Sequence, residues 1–460
     1  MTAIEMSLDY QGLPDCKDLK HIPGDDGLPL LGKALTLAKD TLGMVYSHVH
    51  KYGHLSHFRV GPHRGLMITH PNDLQEIFLD KQRNFSTKMG YSPIIGPFYK
   101  GAMLMYDWEE HKIQRRVLQN SFKYEAMKGY VEIMNPVLHE GITNWQSIAD
   151  FHFFPHIKKM LIDVASRVFL GIEDLNGEEN DRLARSFIDI TEKGMLAIIQ
   201  REIPGLPGLA FARGKTGQRY VENFIRSLIP IRRVGNGKDT MSLVVKEKDD
   251  DGQYWSEPVL ISHLSFILFA AHDTTTSALN HLMMHLGKPE NHHIQEELRQ
   301  ISQSMNKAVL DYDDLDNMVA LDNCFLEALR LNPSIIMVPR RTIRECVLGG
   351  YRVPANTRLF LCPQWAHRDP SIWTNPDTFD PERFSPARAE HKKHAFGFMG
   401  FGGGAHKCIG MNFAKMQAKL FMHQLLLRYR FTTPENYNPT LKTVPLPKPG
   451  DNLPLKLTPL

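Results

Sequence analysis

A glycine-rich turn that ends in a cysteine, Phe401-Gly402-Gly403-Gly404-Ala405-His406-Lys407-Cys408-Ile409-Gly410, constrains this chain more than any other stretch. Three consecutive glycines let the backbone turn tightly and approach whatever Cys408 presents, because glycine has no Cβ. From Phe413 onward the apolar residues recur at helical spacing, which predicts a helix directly after the turn. Cys408 is therefore expected near a helix N-terminus, where unsatisfied N–H groups and the helix dipole favour a thiolate.

The composition is typical of a globular protein with a sizeable core. The chain has 460 residues, of which 42% are hydrophobic and 23% charged, and a formal net charge of +3, which gives no support for a nucleic-acid partner. Five cysteines without framework spacing argue for a reducing compartment, and we expect a cytoplasmic protein. Residues 1–20 contain no apolar run, so neither a signal peptide nor a transmembrane anchor is expected.

The sequence of residues 1–105 predicts an arm, a strand pair, a helix and an apolar stretch. Residues 1–34 are rich in Pro and Gly, which predicts an extended arm. Two strands, Leu55–Val60 and Leu66–Thr69, are predicted next, followed by a helix capped by Asn72. The stretch 85–105 is apolar with little periodicity, and it predicts either a loop over an apolar cavity or ordinary core packing. Its candidate pocket residues are Tyr91, Ile94, Ile95 and Phe98.

A long helix is predicted from Ser256–Pro258 to Gly287, since no helix breaker interrupts that stretch. Its centre reads Ala270-Ala271-His272-Asp273-Thr274-Thr275, a run of small residues followed by an acid and an alcohol. An acid and a hydroxyl side by side can relay protons. Thr274 can instead bond to the carbonyl one turn earlier, which would make it purely structural.

The same helix carries His281 and His285 four residues apart, the spacing of zinc hydrolases. Leu282 stands where those enzymes have the general base, so packing or surface histidines are the favoured interpretation. Two other charged motifs lie elsewhere. A helix opening at Asp107 brings His111 and Arg115 to one face, and Glu327 and Arg330 lie three residues apart on another helix, ahead of Pro381-Glu382-Arg383-Phe384.

Taken together, these motifs resemble those of the cytochrome P450 family. Its haem-ligand loop has Phe, Gly, Arg or His, Cys and Gly at fixed positions, matched by Phe401, Gly404, His406, Cys408 and Gly410. The oxygen-binding groove, the Glu-x-x-Arg motif and the Pro-Glu-Arg-Phe segment follow in the family's order. Considered without the other motifs, Cys408 could be a buried cysteine that packs as a small hydrophobic residue. A phosphatase-type cysteine loop fits poorly, because Lys407 and not His precedes the cysteine.

The resemblance implies a mainly α fold with small β-sheets, formed as one catalytic domain over residues 35–460. It implies haem b held by Cys408 as the axial thiolate, which favours cleavage of the O–O bond. Ala271 leaves space for dioxygen, while Asp273 and Thr274 deliver protons. The resemblance also assigns roles to residues outside the cysteine position. The expected cofactor contacts are His111, Arg115, Arg340 (with Arg341 in reserve), His406, Phe401, Gly402, Ala270 and Ala271. Glu327, Arg330 and Arg383 are expected to form a structural triad, Phe266, Ile336, Met337 and Leu446 are further pocket residues, and residues 195–208 form the hinge of a lid.

By the same resemblance the chain is a monooxygenase that hydroxylates a C–H bond of a bulky lipophilic molecule. The sterol demethylase and retinoid hydroxylase branches look nearest, which suggests a sterol, terpenoid or retinoid. Electrons would come from NAD(P)H through a ferredoxin and its reductase or a flavoprotein reductase, docked near Lys407 and Lys112. The alternatives are a hydrogen-peroxide-dependent peroxygenase, against which Asp273 and Thr274 argue, and a non-catalytic haem sensor or lipid carrier.

Overall fold

The computed structural model of this chain describes residues 16, 18–145, 148–172, 178–194 and 210–460. The expected lid hinge at 195–208 lies outside the described residues. Helices dominate the described part: α1 Ala34–Lys39, α2 Thr41–Tyr52, α3 Pro71–Leu79, α4 Thr87–Tyr91, α5 Gly96–Tyr99, α6 Trp108–Gln119, α7 Tyr124–Thr143, α8 Phe153–Leu170, α9 Glu178–Ile188, α10 Ala210–Val234, α11 Thr240–Val244, α12 Glu257–Leu286, α13 His292–Ser304, α14 Val319–Leu331 and α15 Met411–Leu426.

The strands are short: β1 Gly24–Asp25, β2 Leu55–Val60, β3 His63–Ile68, β4 Phe85–Ser86, β5 Val338–Thr342, β6 Cys346–Leu348, β7 Tyr351–Val353, β8 Arg358–Leu361, β9 Tyr429–Thr432, β10 Leu441–Lys442, β11 Lys448–Pro449 and β12 Lys456–Pro459. None of the helices in the described ranges is both long and apolar enough to cross a membrane. All five cysteines are free of disulfide bonds.

Two compact units divide the chain: Met1–Gln114 with Ile335–Asp377 and Ala389–Cys408, and Arg115–Ser334 with Thr378–Arg388 and Ile409–Leu460. The predicted arm and single catalytic domain stay predictions. In the first unit the main sheet has the order β1-β2-β3-β8-β5-β4, and the described end of the arm joins it through β1, which pairs parallel to β2. Apolar side chains of β3 and β8, such as Leu66 and Leu359, are buried in its core.

Three local predictions in this unit need correction. The second strand, β3, begins already at His63, because it pairs with β2 up to the turn. Helix α3 is capped by His70, whose ring accepts a hydrogen bond from the Asn72 N–H, so Asn72 lies in the first turn and is not the cap. The stretch 85–105 contains α4 and α5, helices of 5 and 4 residues that are too short to show a periodicity.

The second unit is a bundle of helices around α12. Ser256 precedes α12, Pro258 lies in its first turn and Gly287 ends it, as the sequence predicts. Most of its side chains are buried, since α8, α10 and α14 pack against it. Helix α15 packs on α7 in the same unit, and two antiparallel pairs, β9 with β12 and β10 with β11, complete it.

Candidate functional site

The turn before Cys408 is held by its own backbone hydrogen bonds. Cys408 N–H donates to the Phe401 carbonyl at 2.9 Å, and Gly402 N–H donates to Met399 at 2.9 Å. Gly402 and Gly404 have φ of +71° and +63°, which L side chains rarely adopt. Cys408 is exposed, so the turn presents its sulfur at the surface of the first unit.

The glycines also allow a close approach to the end of α3. A Cβ on Gly404 would collide with the carbonyl oxygen of Phe78, and one on Gly403 would lie 2.7 Å from the Phe396 ring. Phe78 and Phe396 stack with their centroids 5.9 Å apart. The cysteine turn is therefore packed tightly on an aromatic pair, which fixes the direction in which Cys408 points.

Arg340 is a buried cation on β5. It is only 4% exposed, its guanidinium lies 5.6 Å from the Phe78 ring, and burial lowers its pKa. Its Nη1 donates to the Pro339 carbonyl at 2.9 Å, but no residue in the described ranges forms an ion pair with it. A buried charge without a carboxylate partner is costly. Asp107 and Asp80 favour the charge of Arg340 without forming an ion pair with it. The carboxylate of a haem propionate would supply a direct anionic partner, so this unit fits the group that the resemblance implies.

Arg341 is less suited to the same role. Neighbouring residues of a strand point to opposite faces, so Arg340 and Arg341 cannot serve one ligand together. Arg341 is fully buried, and its Nε donates to the Asn356 carbonyl at 3.3 Å. It therefore stabilises the loop at Asn356.

Two predicted propionate contacts lie against each other. The rings of His111 and His406 are 3.7 Å apart between centroids, with 33° between their planes. His111 is 2% exposed, while His406 is half-buried. The stack joins α6 to the cysteine turn, and Arg115 follows His111 one turn later on α6. Their contact with a propionate stays a prediction.

On α12 the acid and the alcohol make different contacts. Thr274 Oγ1 donates to the Ala270 carbonyl at 2.7 Å, and Thr275 and Thr276 bond to the preceding turn in the same way. This is the structural bond that the sequence left open. Since a hydroxyl keeps two lone pairs after donating its proton, Thr274 can still accept a hydrogen bond.

Asp273 lies between the side chains of His272 and Lys158. Its Oδ1 is 3.3 Å from His272 Nε2 and 3.5 Å from Lys158 Nζ. Burial by itself would raise the pKa of Asp273, but His272 and Lys158 together lower it to about 2. Neither partner could be found from the sequence: no local motif marks His272, and Lys158 stands beside Lys159 in a pattern typical of a solvated helix face.

The three residues of the predicted structural triad meet in the second unit. Arg330 Nε lies 2.6 Å from Glu327 Oε2, Arg383 Nε lies 3.2 Å from Glu327 Oε1, and all three side chains are at most 1% exposed. The Asp380 N–H also donates to Glu327 at 2.9 Å. Glu327 therefore ties the segment 378–388 to α14.

The predicted pocket residues are distributed over both units. In the first unit Ile95, Phe98 and Ile336 are buried and Tyr91, Ile94 and Met337 are half-buried; in the second unit Phe266 is buried and Leu446 half-buried. Their role in binding substrate stays a prediction. His281 and His285 are both buried, and His285 bonds to Asn332 at 2.8 Å, as expected for packing histidines. Among the described side chains, no cluster of three or more potential metal ligands is present.

Comparison with known proteins identifies the family. A family model described as cytochrome P450 matches residues 22–454. A protein named putative cytochrome P450 136, from Mycobacterium tuberculosis, is 32% identical over 453 residues, which cover 97% of this chain and 90% of that protein. The sterol 14-demethylase of Arabidopsis thaliana is 27% identical over 413 residues, which cover 87% of this chain and 83% of that protein.

A solved structure gives the same answer for the fold. The retinoic acid bound cyanobacterial CYP120A1 matches with a TM-score of 0.84 at 26% identity, covering 95% of this chain and 99% of that chain. The predicted fold class, mainly α with small sheets, is confirmed as the cytochrome P450 fold. The chain belongs to the cytochrome P450 family of haem monooxygenases.

Proposed function

We propose that this protein inserts one oxygen atom from dioxygen into a C–H bond of a bulky lipophilic substrate, with a sterol, terpenoid or retinoid as the expected class. The observation that carries the proposal is the cysteine turn, in which two glycines with positive φ and a tight contact to Phe78 present the Cys408 sulfur. A structural cysteine would not need so constrained a backbone.

The chain's own residues divide the work of holding the haem. Cys408 would hold the haem iron through its thiolate sulfur, whose negative charge would increase the electron density at the iron. Arg340 neutralises a propionate, as its burial without a carboxylate partner among the described residues supports. His111, Arg115 and His406 provide further donors, while Phe401 and Gly402 lie in the turn itself. When bound, the haem supplies the chemistry that activates dioxygen.

The residues of α12 handle protons. Ala270 and Ala271 leave space on the helix surface, because neither has a side chain beyond Cβ. Thr274 donates its own proton to Ala270, so its oxygen acts as a hydrogen-bond acceptor. Asp273, one residue earlier, is ionised at neutral pH and can accept a proton and pass it on.

The substrate class rests on the relatives and on the candidate lining. One relative is named for a sterol, and one solved relative binds retinoic acid. Both molecules are bulky and lipophilic. The candidate pocket residues are almost entirely apolar, which suits such a substrate.

Electron supply is assigned to NAD(P)H through a separate ferredoxin or flavoprotein reductase. Lys112 is 75% exposed and Lys407 is also exposed, which supports docking of an acidic partner near these two residues of the first unit. Reversing both charges, Lys112→Glu with Lys407→Glu, is expected to slow reduction by the partner and to leave reduction by dithionite unchanged. Equal rates with the partner would contradict this docking surface.

The proposed reaction is tested by supplying a reductase system, NADPH and isotopically labelled dioxygen with a panel of sterols, terpenoids and retinoids. The ferric protein is first titrated with each lipid, and the lipids that shift its absorption band to shorter wavelength are chosen as candidate substrates. We expect a product that carries one labelled oxygen atom, and none from Cys408→Ser. Activity with hydrogen peroxide alone would indicate a peroxygenase, and binding without product under any electron supply would indicate a sensor or carrier.

The cytoplasmic location stays a prediction, which cell fractionation tests.

A further inference from the structure

A buried lysine on helix α8, Lys158, lies next to Asp273 on α12. Lys158 is 9% exposed, although lysine is almost never buried without a partner. Its Nζ lies 3.5 Å from Asp273 Oδ1, and both side chains are largely shielded, at 11% and 13% exposure. Charges shielded to this degree interact more strongly than a surface pair, because little water screens them.

The second partner of Asp273, His272, is oriented from its own helix. Its Nδ1 lies 2.9 Å from the Leu268 carbonyl, and a carbonyl only accepts hydrogen bonds, so Nδ1 carries a proton. Its Nε2 lies 3.3 Å from Asp273 Oδ1 and makes a hydrogen bond there only if it is protonated as well. His272 is thus placed between the Leu268 carbonyl and the Asp273 carboxylate, and its ring centroid lies 6.3 Å from that of Phe187.

We propose that Lys158 is a positioning residue for the proton relay: together with His272 it holds Asp273 as an oriented carboxylate next to Thr274. This rests on the proposed function, in which Asp273 and Thr274 move protons. Each proton comes from solvent, binds a carboxylate oxygen of Asp273 and leaves again toward Thr274. Asp273 then returns to the carboxylate, and Lys158 remains an ammonium throughout.

The consequence is that Lys158 affects proton delivery without touching the haem or the substrate. Without its charge, the pKa of Asp273 would rise, since burial is then opposed by His272 alone. The Asp273 carboxylate would also lose one of the two contacts that hold it beside Thr274, so a proton would reach Thr274 less often. Reducing equivalents would then be lost to hydrogen peroxide before product forms.

The test compares Lys158→Met with wild type and with Lys158→Arg. We expect the Met variant to lose about tenfold in product per NADPH, a part of the roughly 10²–10⁴-fold that a positioned proton-transfer group contributes, and to show a larger solvent isotope effect on turnover. The Arg variant keeps the cation and should restore most of the coupling. Lys159→Met is the matched control, because Lys159 is the exposed neighbour on the same helix.

A measurement independent of turnover follows the Asp273 carboxyl directly. In protein with ¹³C-labelled aspartate, the signal missing from Asp273→Asn identifies the group, and its pH titration should shift upward in Lys158→Met. Lys158→Gln gives the same comparison if the Met variant does not fold. An unmoved titration, or unchanged coupling and isotope effect in the charge-removed variant, overturns the proposal.

Asp273→Asn separates this proposal from the function on which it rests. If Asp273→Asn forms product as wild type does, the proton role assigned to Asp273 is wrong. If Asp273→Asn is impaired and Lys158→Met behaves as wild type, only the role of Lys158 is wrong. If Lys158 acts through Asp273, the double variant should be no worse than Asp273→Asn.

Discussion

Gly402 and Gly404 have almost the same backbone conformation but different surroundings. Both have positive φ, yet a Cβ at Gly402 would meet nothing within 4 Å, whereas one at Gly404 would meet the Phe78 carbonyl. The two positions therefore separate the cost of the left-handed backbone from the cost of close packing.

Alanine at each position measures these two costs. Gly402→Ala should lower the free energy of unfolding by about 1–2 kcal/mol, the cost of the left-handed conformation. Gly404→Ala should lose about 1–3 kcal/mol more, because the turn must move away from α3. Urea unfolding and haem content of the purified proteins measure both effects. Equal losses at the two positions would mean that the turn does not need its contact with Phe78.

Glu327 offers a second test at the residue scale. Glu327→Gln would leave Arg330 and Arg383 buried with too little negative charge, so we expect a loss of about 3–5 kcal/mol in the free energy of unfolding. Glu132→Gln is the control, because the pair of Glu132 with Lys238 is exposed, and it should cost about 1 kcal/mol or less. A loss at Glu327 as small as at Glu132 would contradict a structural role for the triad.

At the scale of elements, the helices that carry chemistry were the most predictable. Breakers fixed both ends of α12, since Pro258 and Gly287 act locally on the backbone. The side chains that pack against α12 could not be predicted from the local sequence. The distance from Lys158 to Asp273 depends on how α8 packs against α12, and nothing in the local pattern of either helix encodes that contact.

The buried histidine His281 makes α12 sensitive to acid. Burial lowers its pKa from 6.5 to about 4. Between these values the unfolded chain binds a proton that the folded chain does not, so the free energy of unfolding falls as the pH is lowered through this window. His281→Leu should make this fall smaller by up to about 3 kcal/mol. Urea unfolding at several pH values measures this difference. His293→Leu is the control, because His293 is exposed on α13. An equal pH dependence in wild type, His281→Leu and His293→Leu would contradict the prediction.

At the scale of the whole molecule, family membership was readable from a few local motifs. The cysteine turn, the acid and alcohol, and the two charged motifs each depend on near neighbours in the sequence. Arg340 could be named only through the resemblance, because its burial without a carboxylate partner in the described chain depends on packing around β5. Helix α4 was not predicted because Ser86 and Asp107 stabilise it by capping bonds, for example Asp107 with the Thr87 N–H at 2.7 Å, and not by an apolar stripe. Helix α5 has no such cap, and its 4 residues are too few to show a periodicity.

The central claim is that the sulfur of residue 408 ligates the haem iron, and the spectrum of the ferrous carbonyl complex tests it most directly. Wild type and Cys346→Ser, which changes a half-buried cysteine elsewhere, should both absorb at the long wavelength of thiolate-ligated haem. Cys408→Ser should lose that band. A wild-type spectrum like that of a histidine-ligated globin, or an unchanged band in Cys408→Ser, would contradict the account.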